Sequence, residues 1–286
     1  MNTHRVLSIT LVWLACCSCT TAPRGPVTDP SRVVLPYEWV GNIDKGGFNE
    51  PSGILFDPGR GTLFVVGDEG QICEITTEGE MLRNATLIEG ADFEGLARAP
   101  ETGTLYVAVE GEEAILEVDP ETFALLRRFD LPREAGGVEL FRPGGNGIEA
   151  ICFVPDARHP EGGTFFVANQ SFSLEPDEEL SVIVEVELPL REAGQTAPVR
   201  LLRWFEPGVI DISALHHDAE TGHILAASDA ANCLLELTID GRCLQVLALT
   251  GDNQEGMTLD AEGFMYIAQD SGGVIKIRPL WPFPRR

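Results

Sequence analysis

The chain predicts an all-β fold, a β-propeller of five blades, on three observations. Five segments share one opening motif, each motif leads into a set of short strands, and no window holds a sustained helical period. The openings are Ser52-Gly53-Ile54, Glu94-Gly95-Leu96, Glu149-Ala150-Ile151, Ser213-Ala214-Leu215 and Glu255-Gly256-Met257, spaced 42 residues or more apart. Each has Ser or Glu, then Gly or Ala, then a large aliphatic residue.

A turn rich in Asp, Pro, Glu and Gly follows each opening, then a β-rich run: Leu63–Val66, Leu105–Ala108, Phe165–Ala168, Ile224–Ala227 and Met265–Ala268. A third strand comes next, at Ile72–Thr76, Ile115–Asp119, Val182–Leu188, Leu234–Ile239 and Val274–Arg278. A fourth is visible in the first four repeats, as at Leu125–Leu131 and Cys243–Leu249. Four short strands per repeat, separated by turn residues, is how a propeller blade is written.

The last repeat lacks its fourth strand, since Pro279-Leu280-Trp281-Pro282-Phe283-Pro284 follows Arg278. A lone strand, Tyr37–Ile43, precedes the first repeat. It is expected to complete the last blade and so close the ring, removing the exposed edges of an open array. The long third repeat, Glu149–Ile212, leaves six blades as the alternative. It holds only four strands plus two loops, at Phe172–Leu180 and Pro189–Pro198, and five is the reading taken.

Residues 1–19 read as an export signal: Arg5 supplies a positive start, and Val6–Ala15 is apolar yet too short to span a bilayer. Cys19 is the expected lipid-anchor residue, with Cys16 and Cys17 as alternatives, and an ordinary cleaved secretion signal is the other reading. Residues 20–32 form a tether with nothing to bury, 33–279 the propeller, and 280–286 a tail. The expected location is therefore outside the cytoplasm, lipid-anchored at the cell envelope or periplasmic. The only membrane attachment expected is the anchor, and the expected state is a monomer.

With 45 acids against 20 bases, the net charge of −25 turns away nucleic acid and favours cations or basic partners. Cys73, Cys152, Cys233 and Cys243 contain no CxxC, which argues against zinc. A two-residue turn at Asp240-Gly241 sets Cys233 opposite Ala248 and Cys243 opposite Thr238, so that pair cannot bond. All four read as small buried hydrophobes. Gly144–Gly147 is a turn and no phosphate loop, because no helix follows it.

In an up-and-down blade, the start of the innermost strand and the end of the second lie on one face. The first column so formed holds Ser52, Glu94, Glu149, Ser213 and Glu255; the second holds Asp68, Glu110, Gln170, Asp229 and Asp270. Seven carboxylates, with Ser52, Gln170 and Ser213, are thus expected to ring one channel mouth. Like charges held together raise each other's pKa, and Ca²⁺, which takes 6–8 oxygen ligands, relieves that repulsion. Glu94, Glu149, Glu255, Asp68, Glu110, Asp229 and Asp270 are the candidate ligands. The architectural alternative is that they satisfy backbone N–H groups of neighbouring blades, and repetition in every blade favours it. His216-His217-Asp218, on an inner strand, reads as packing or channel lining. No base stands near Ser52 or Ser213 to make either a nucleophile.

Four pieces, Asp92-Phe93-Glu94-Gly95-Leu96, Gly147-Ile148-Glu149-Ala150-Ile151, Asp211-Ile212-Ser213-Ala214-Leu215 and Gln254-Glu255-Gly256-Met257, resemble the SdiA-regulated family of exported bacterial β-propellers in residues and order. The resemblance covers about Tyr37 to Pro279. It implies a periplasmic or envelope protein linked to Ca²⁺ response, without a defined reaction; the expected partners of the acidic mouth are a divalent cation and an unidentified protein or small molecule. The chain is also similar in look to the esterase-like phytase propellers, which would imply a Ca²⁺-dependent phosphoester or ester hydrolase. A phosphoryl site needs cationic side chains, and neither column holds Lys or Arg. The non-catalytic reading is therefore preferred, with the hydrolase and a metal-free interaction scaffold as alternatives.

Overall fold

Alternating short strands and tight turns lead the chain into antiparallel hairpins throughout. The computed structural model describes residues 33–43, 50–141, 147–170, 180–191, 198–251 and 253–280. Strand β1 (Tyr37–Asn42) comes first. Blade 1 follows as β2 (Pro51–Asp57), β3 (Thr62–Gly67), β4 (Gln71–Thr76) and β5 (Met81–Thr86). Blade 2 comprises β6 (Phe93–Arg98), β7 (Leu105–Val109), β8 (Ala114–Val118) and β9 (Leu125–Asp130). A small hairpin, β10 (Glu134–Ala135) with β11 (Val138–Glu139), was not expected from the repeat and lies on the path to blade 3. Blade 3 is β12 (Ile148–Pro155), β13 (Gly163–Asn169), β14 (Ile183–Glu187) and β15 (Arg200–Phe205); blade 4 is β16 (Ile212–Asp218), β17 (His223–Ser228), β18 (Cys233–Leu237) and β19 (Cys243–Ala248). Blade 5 has β20 (Gln254–Leu259), β21 (Met265–Gln269) and β22 (Val274–Pro279), with β1 as its outermost strand.

Five blades is therefore the count, and β1 closes the ring. It pairs antiparallel with β22, from Tyr37 opposite Pro279 to Asn42 opposite Ile275. The pairing runs one step past the expected stop at Arg278: Pro279 ends the strand, where its missing N–H costs nothing, and Leu280 N–H donates to Pro36 O at 2.7 Å. Just upstream, Leu35 N–H donates to Ala248 O at 2.9 Å, and Ala248 N–H to Val33 O at 2.8 Å, so the incoming chain also staples blade 4.

β2, β6, β12, β16 and β20 contact one another around the central channel. The small second residue of each opening motif is what lets them do so. A Cβ on Gly53 would lie 2.2 Å from Glu94 O, one on Gly95 2.5 Å from Ile151 N, and one on Gly256 2.2 Å from Ser52 O. These glycines serve close backbone approach at a waist, where only about 10 Å³ of space remains.

Outside the channel, apolar side chains from facing blades make the core, as where Phe64, Val66 and Ile72 of blade 1 pack with Phe93 and Leu116 of blade 2. A polar ladder, unforeseen from the sequence, crosses this core. In β4, β8, β14 and β18 it is Glu74, Glu117, Glu185 and Glu236, bonded by Thr62, Thr164 and His223 of the second strands and by Thr104 just before β7. Arg83, Arg127 and Arg203 of the outer strands complete three of these sets, and Gln245 the fourth. Burial opposes ionisation of Glu74, but Thr62 and Arg83 overcome it and hold the carboxyl below its ordinary value. Each arginine then reaches the next blade's third turn: Arg83 to Pro120 O and Glu121 O, Arg127 to Pro189 O and Leu190 O, Arg203 to Ile239 O. In blade 5 Lys276 stands at the glutamate's place in the third strand, and it donates to Thr77 O at 3.1 Å and Glu78 Oε1 at 2.8 Å and so joins the last blade to the first.

Two local expectations need correction. Cys243 is exposed, whereas Cys73, Cys152 and Cys233 are buried. Cys233 does face Ala248, but a bulge at Glu236/Leu237 sets Cys243 opposite Leu237, not Thr238. The turn closes with one residue more than a two-residue loop, Thr238 N–H donating to Arg242 O at 3.0 Å. The export segment, the tether, most of the two blade-3 loops and Gly144–Asn146 lie outside the described residues.

Candidate functional site

Each first-column residue sits in a β-bulge. The pairing of the inner strand with its neighbour shifts register at Pro51/Ile54, Phe93/Leu96, Ile148/Ala150, Ile212/Ala214 and Gln254/Gly256, the intervals that hold Ser52, Glu94, Glu149, Ser213 and Glu255. A bulge leaves its extra residue unpaired and re-aims the side chain, here to one mouth of the channel. A backbone bond seals the same end: Glu110 N–H to Asp92 O, Gln170 N–H to Gly147 O, Asp229 N–H to Asp211 O and Asp270 N–H to Asn253 O, at 3.0–3.1 Å.

The two columns then divide their work. Glu110 Oε1 accepts from Gly147 N–H at 3.0 Å, and Asp229 Oδ1 from Gln254 N–H at 2.9 Å, each reaching the start of the next blade's inner strand. Asp68 instead accepts from its own blade's Ser52 hydroxyl at 2.5 Å, and Ser213 donates to Gln254 O. Of these, Glu110 and Asp229 satisfy a backbone N–H of the next blade, and Asp68 does not.

The glutamates of the first column face one another. Carboxylate oxygens of Asp68, Asp92 and Glu94 lie within 4.8 Å of one another, as do those of Glu94, Glu110 and Glu149. Glu94 belongs to both triads. Burial, then the charges of Asp92, Asp68 and Glu110, pushes the Glu94 carboxyl well above its ordinary value. Burial and the neighbouring Glu94 and Glu110 do the same to Glu149. Burial, with Asp229, Asp211, Asp270 and Asp68 around it, pushes Glu255 up to about 8. Carboxylates this close and this buried favour a bound proton or a counter-cation, and Glu255 shows it most directly.

All seven expected carboxylates therefore lie in one electrostatic ring. Asp92 and Asp211 belong to it as well and were missed, although both open the motifs quoted above. They occupy a third column two residues before the first, with Glu50, Gly147 and Asn253 as equivalents. Glu50, Asp211 and Asn253 hold φ values of 48°, 58° and 51°, a left-handed kink before the inner strand that costs a non-glycine residue energy. Burial raises the pKa of both Asp92 and Asp211.

At the other end, beyond the waist, the channel opens into a cavity of about 180 Å³ whose walls include Phe56, Phe153, Leu215 and Met257. His216 and His217 line it, as expected of channel-lining residues.

Five four-stranded blades around a channel with carboxylates at one mouth and an apolar cavity at the other define a five-bladed β-propeller of acidic-mouth type. The SdiA-regulated family model matches residues 37–271, and the chain belongs to that family. Among solved structures it is similar to the glutaminyl cyclase of Myxococcus xanthus, with a TM-score of 0.59 and 13% identity over 86% of this chain and 97% of that one. At that identity the likeness is one of fold. A Bacteroides caccae protein of unknown function follows, with a TM-score of 0.48 and 17% identity over 83% of this chain and 82% of that one. A streptogramin B lyase matches with a TM-score of 0.42 and 15% identity over 80% and 65%.

Proposed function

We propose that the protein is a non-catalytic, exported propeller of the cell envelope, anchored through a lipid on Cys19, that binds Ca²⁺ at the acidic mouth. The observation that carries the metal reading is Glu94's membership in two carboxylate triads. Each triad, Asp68, Asp92 and Glu94 or Glu94, Glu110 and Glu149, offers hard oxygen donors of the kind Ca²⁺ takes, with water to complete its roughly 6–8 ligands. The charges acting most strongly on Glu94, Glu149 and Glu255 are all carboxylates. A divalent cation supplies the missing counter-charge that a bound proton otherwise provides. The triads centre on blade 2 and break the five-fold repeat, which bracing alone does not require. The hydrolase alternative lacks support from the same charges, since developing negative charge on a phosphoryl group needs cations beside it.

Calorimetric titration with CaCl₂ tests the reading. We expect saturable heat, and proton release visible as a dependence of that heat on the buffer's ionisation enthalpy. At a hundredfold excess of metal over its dissociation constant, binding adds about 2.7 kcal/mol of stability. Glu94→Gln keeps the packing and removes the shared charge, so it should abolish both signals. Heat that survives in Glu94→Gln, or no heat in the parent protein, refutes the assignment. Loss of membrane fractionation in Cys19→Ala tests the anchor separately.

A further inference from the structure

The cavity at the opposite end of the channel is a second candidate site, independent of the acidic mouth and of any metal there. It reaches past the inner strands to Pro58 and Pro100 in the turns that follow them, so it opens on the face away from the carboxylates. The inner strands supply its wall at the third and fourth positions after each opening residue. Counted by blade, the third positions are Leu55, Ala97, Cys152, His216 and Thr258; the fourth are Phe56, Arg98, Phe153 and His217, blade 5 giving none. Where the motif repeats, the architecture explains it. Here the repeat is broken: two blades give only apolar groups, and blades 2, 4 and 5 give Arg98, the histidine pair and Thr258.

The polar groups differ in what they have left to offer. Thr258 Oγ1 already accepts from Phe56 N–H at 3.1 Å. Arg98 Nε is shielded from solvent and has no hydrogen-bond partner among the described residues. It lies 3.6 Å from Asp57 Oδ2, close enough to be neutralised but beyond a hydrogen bond. Nε is closed even to water, so the donors left for a ligand are the Nη groups of this cavity-lining side chain, which is 30% exposed and donates no hydrogen bond among the described residues. Burial lowers the affinity of His217 for a proton and holds His216 at about 4, so both rings are neutral at pH 7. His216 keeps some accessible surface, and that surface faces the cavity. Arg98 and Asp57 cancel, so the cavity carries little net charge inside a chain of net charge −25. An anion gains nothing there to offset its repulsion by the whole molecule. In size, an engineered apolar cavity of about 150 Å³ in another protein holds benzene.

We propose that this cavity binds an uncharged small molecule with an apolar body about the size of a six-membered ring and one hydrogen-bond-accepting oxygen, which accepts from the Nη edge of the Arg98 guanidinium. The test uses the full chain with ¹³C-methyl methionine. Met257 lines the cavity, whereas Met81 and Met265 do not and serve as internal controls. Cyclohexanone, cyclohexane and benzoate are titrated in turn. Cyclohexanone should shift Met257 saturably and leave Met81 and Met265 unmoved, and should bind at least fivefold tighter than either other probe. Arg98→Leu should remove the preference for cyclohexanone over cyclohexane, and Leu55→Trp, which fills the cavity, should abolish binding of both. If either variant fails to fold, the ranking of the three probes on the parent protein decides. The proposal is overturned if Met257 shows no saturable shift, if the controls move with it, if benzoate binds as tightly as cyclohexanone, or if folded Arg98→Leu keeps the full preference.

Discussion

The two ends of this channel are built by the same five strands and share almost no chemistry. At one mouth, bulges re-aim Glu94, Glu149 and Glu255, and burial adds to repulsion to raise all three carboxyls, Glu255 to about 8. At the other end the strands run regularly, the walls are apolar, and the few polar groups come from three blades. The waist of Gly53, Gly95 and Gly256 separates them with room for about one water. The difference teaches where a repeat is constrained. Residues beside a bulge must satisfy the next blade's backbone, as Glu110 and Asp229 do. Residues four positions further on meet the channel and are free to diverge.

The largest expected effect comes from breaking the partition itself. In Gly53→Val the new Cβ would lie 2.2 Å from Glu94 O, backbone that cannot swing aside. We expect a loss of more than about 3 kcal/mol, read as a melting temperature lower by many degrees and by loss of both binding functions. A stable Gly53→Val protein would mean that the inner strands are further apart than described.

Next in size is the response of the acidic mouth to pH. Glu255 binds its proton more tightly when folded, at about 8, than at the ordinary value of 4.5. The folded state therefore holds more protons across that window, and chelator-treated protein should lose stability as pH rises from about 4.5 to about 8. Melting followed at stepped pH should show a fall of several degrees, and CaCl₂ should flatten it, because the cation replaces the protons. A flat curve in chelator would show that the ring holds no such proton.

His216 gives a smaller effect of opposite sign at the other end. Its folded value of about 4 lies below the ordinary 6.5, so the folded state holds fewer protons between them and stability falls as pH drops through that window. His216→Phe should remove this acid-side loss while the Ca²⁺ heat is unchanged. The smallest expected effect is a cross-effect near zero: Glu94→Gln should leave the Met257 response to cyclohexanone intact, and Arg98→Leu should leave the Ca²⁺ heat intact. Coupling beyond about twofold in either direction would mean that the waist transmits.

Most of the blade plan is carried by local pattern. The five openings, the strand order and the closing strand β1 follow from alternation of apolar residues and from turn residues at short range. The two columns at the mouth follow from hairpin geometry, because a chain that reverses between strands brings the start of one beside the end of the next. What depended on three dimensions was every relation between blades. Glu94 became the shared member of two triads, Asp92 and Asp211 joined the ring, and Arg83, Arg127, Arg203 and Lys276 tied neighbouring blades through turns far along the chain. Cys243 moved to the surface side through one bulge. The cavity beside Arg98 has no signature in any single repeat. The physical reason is the same in each case: strand pattern is written in neighbouring residues, whereas burial, pKa and convergence depend on ångström-scale distances between segments that sequence spacing leaves open.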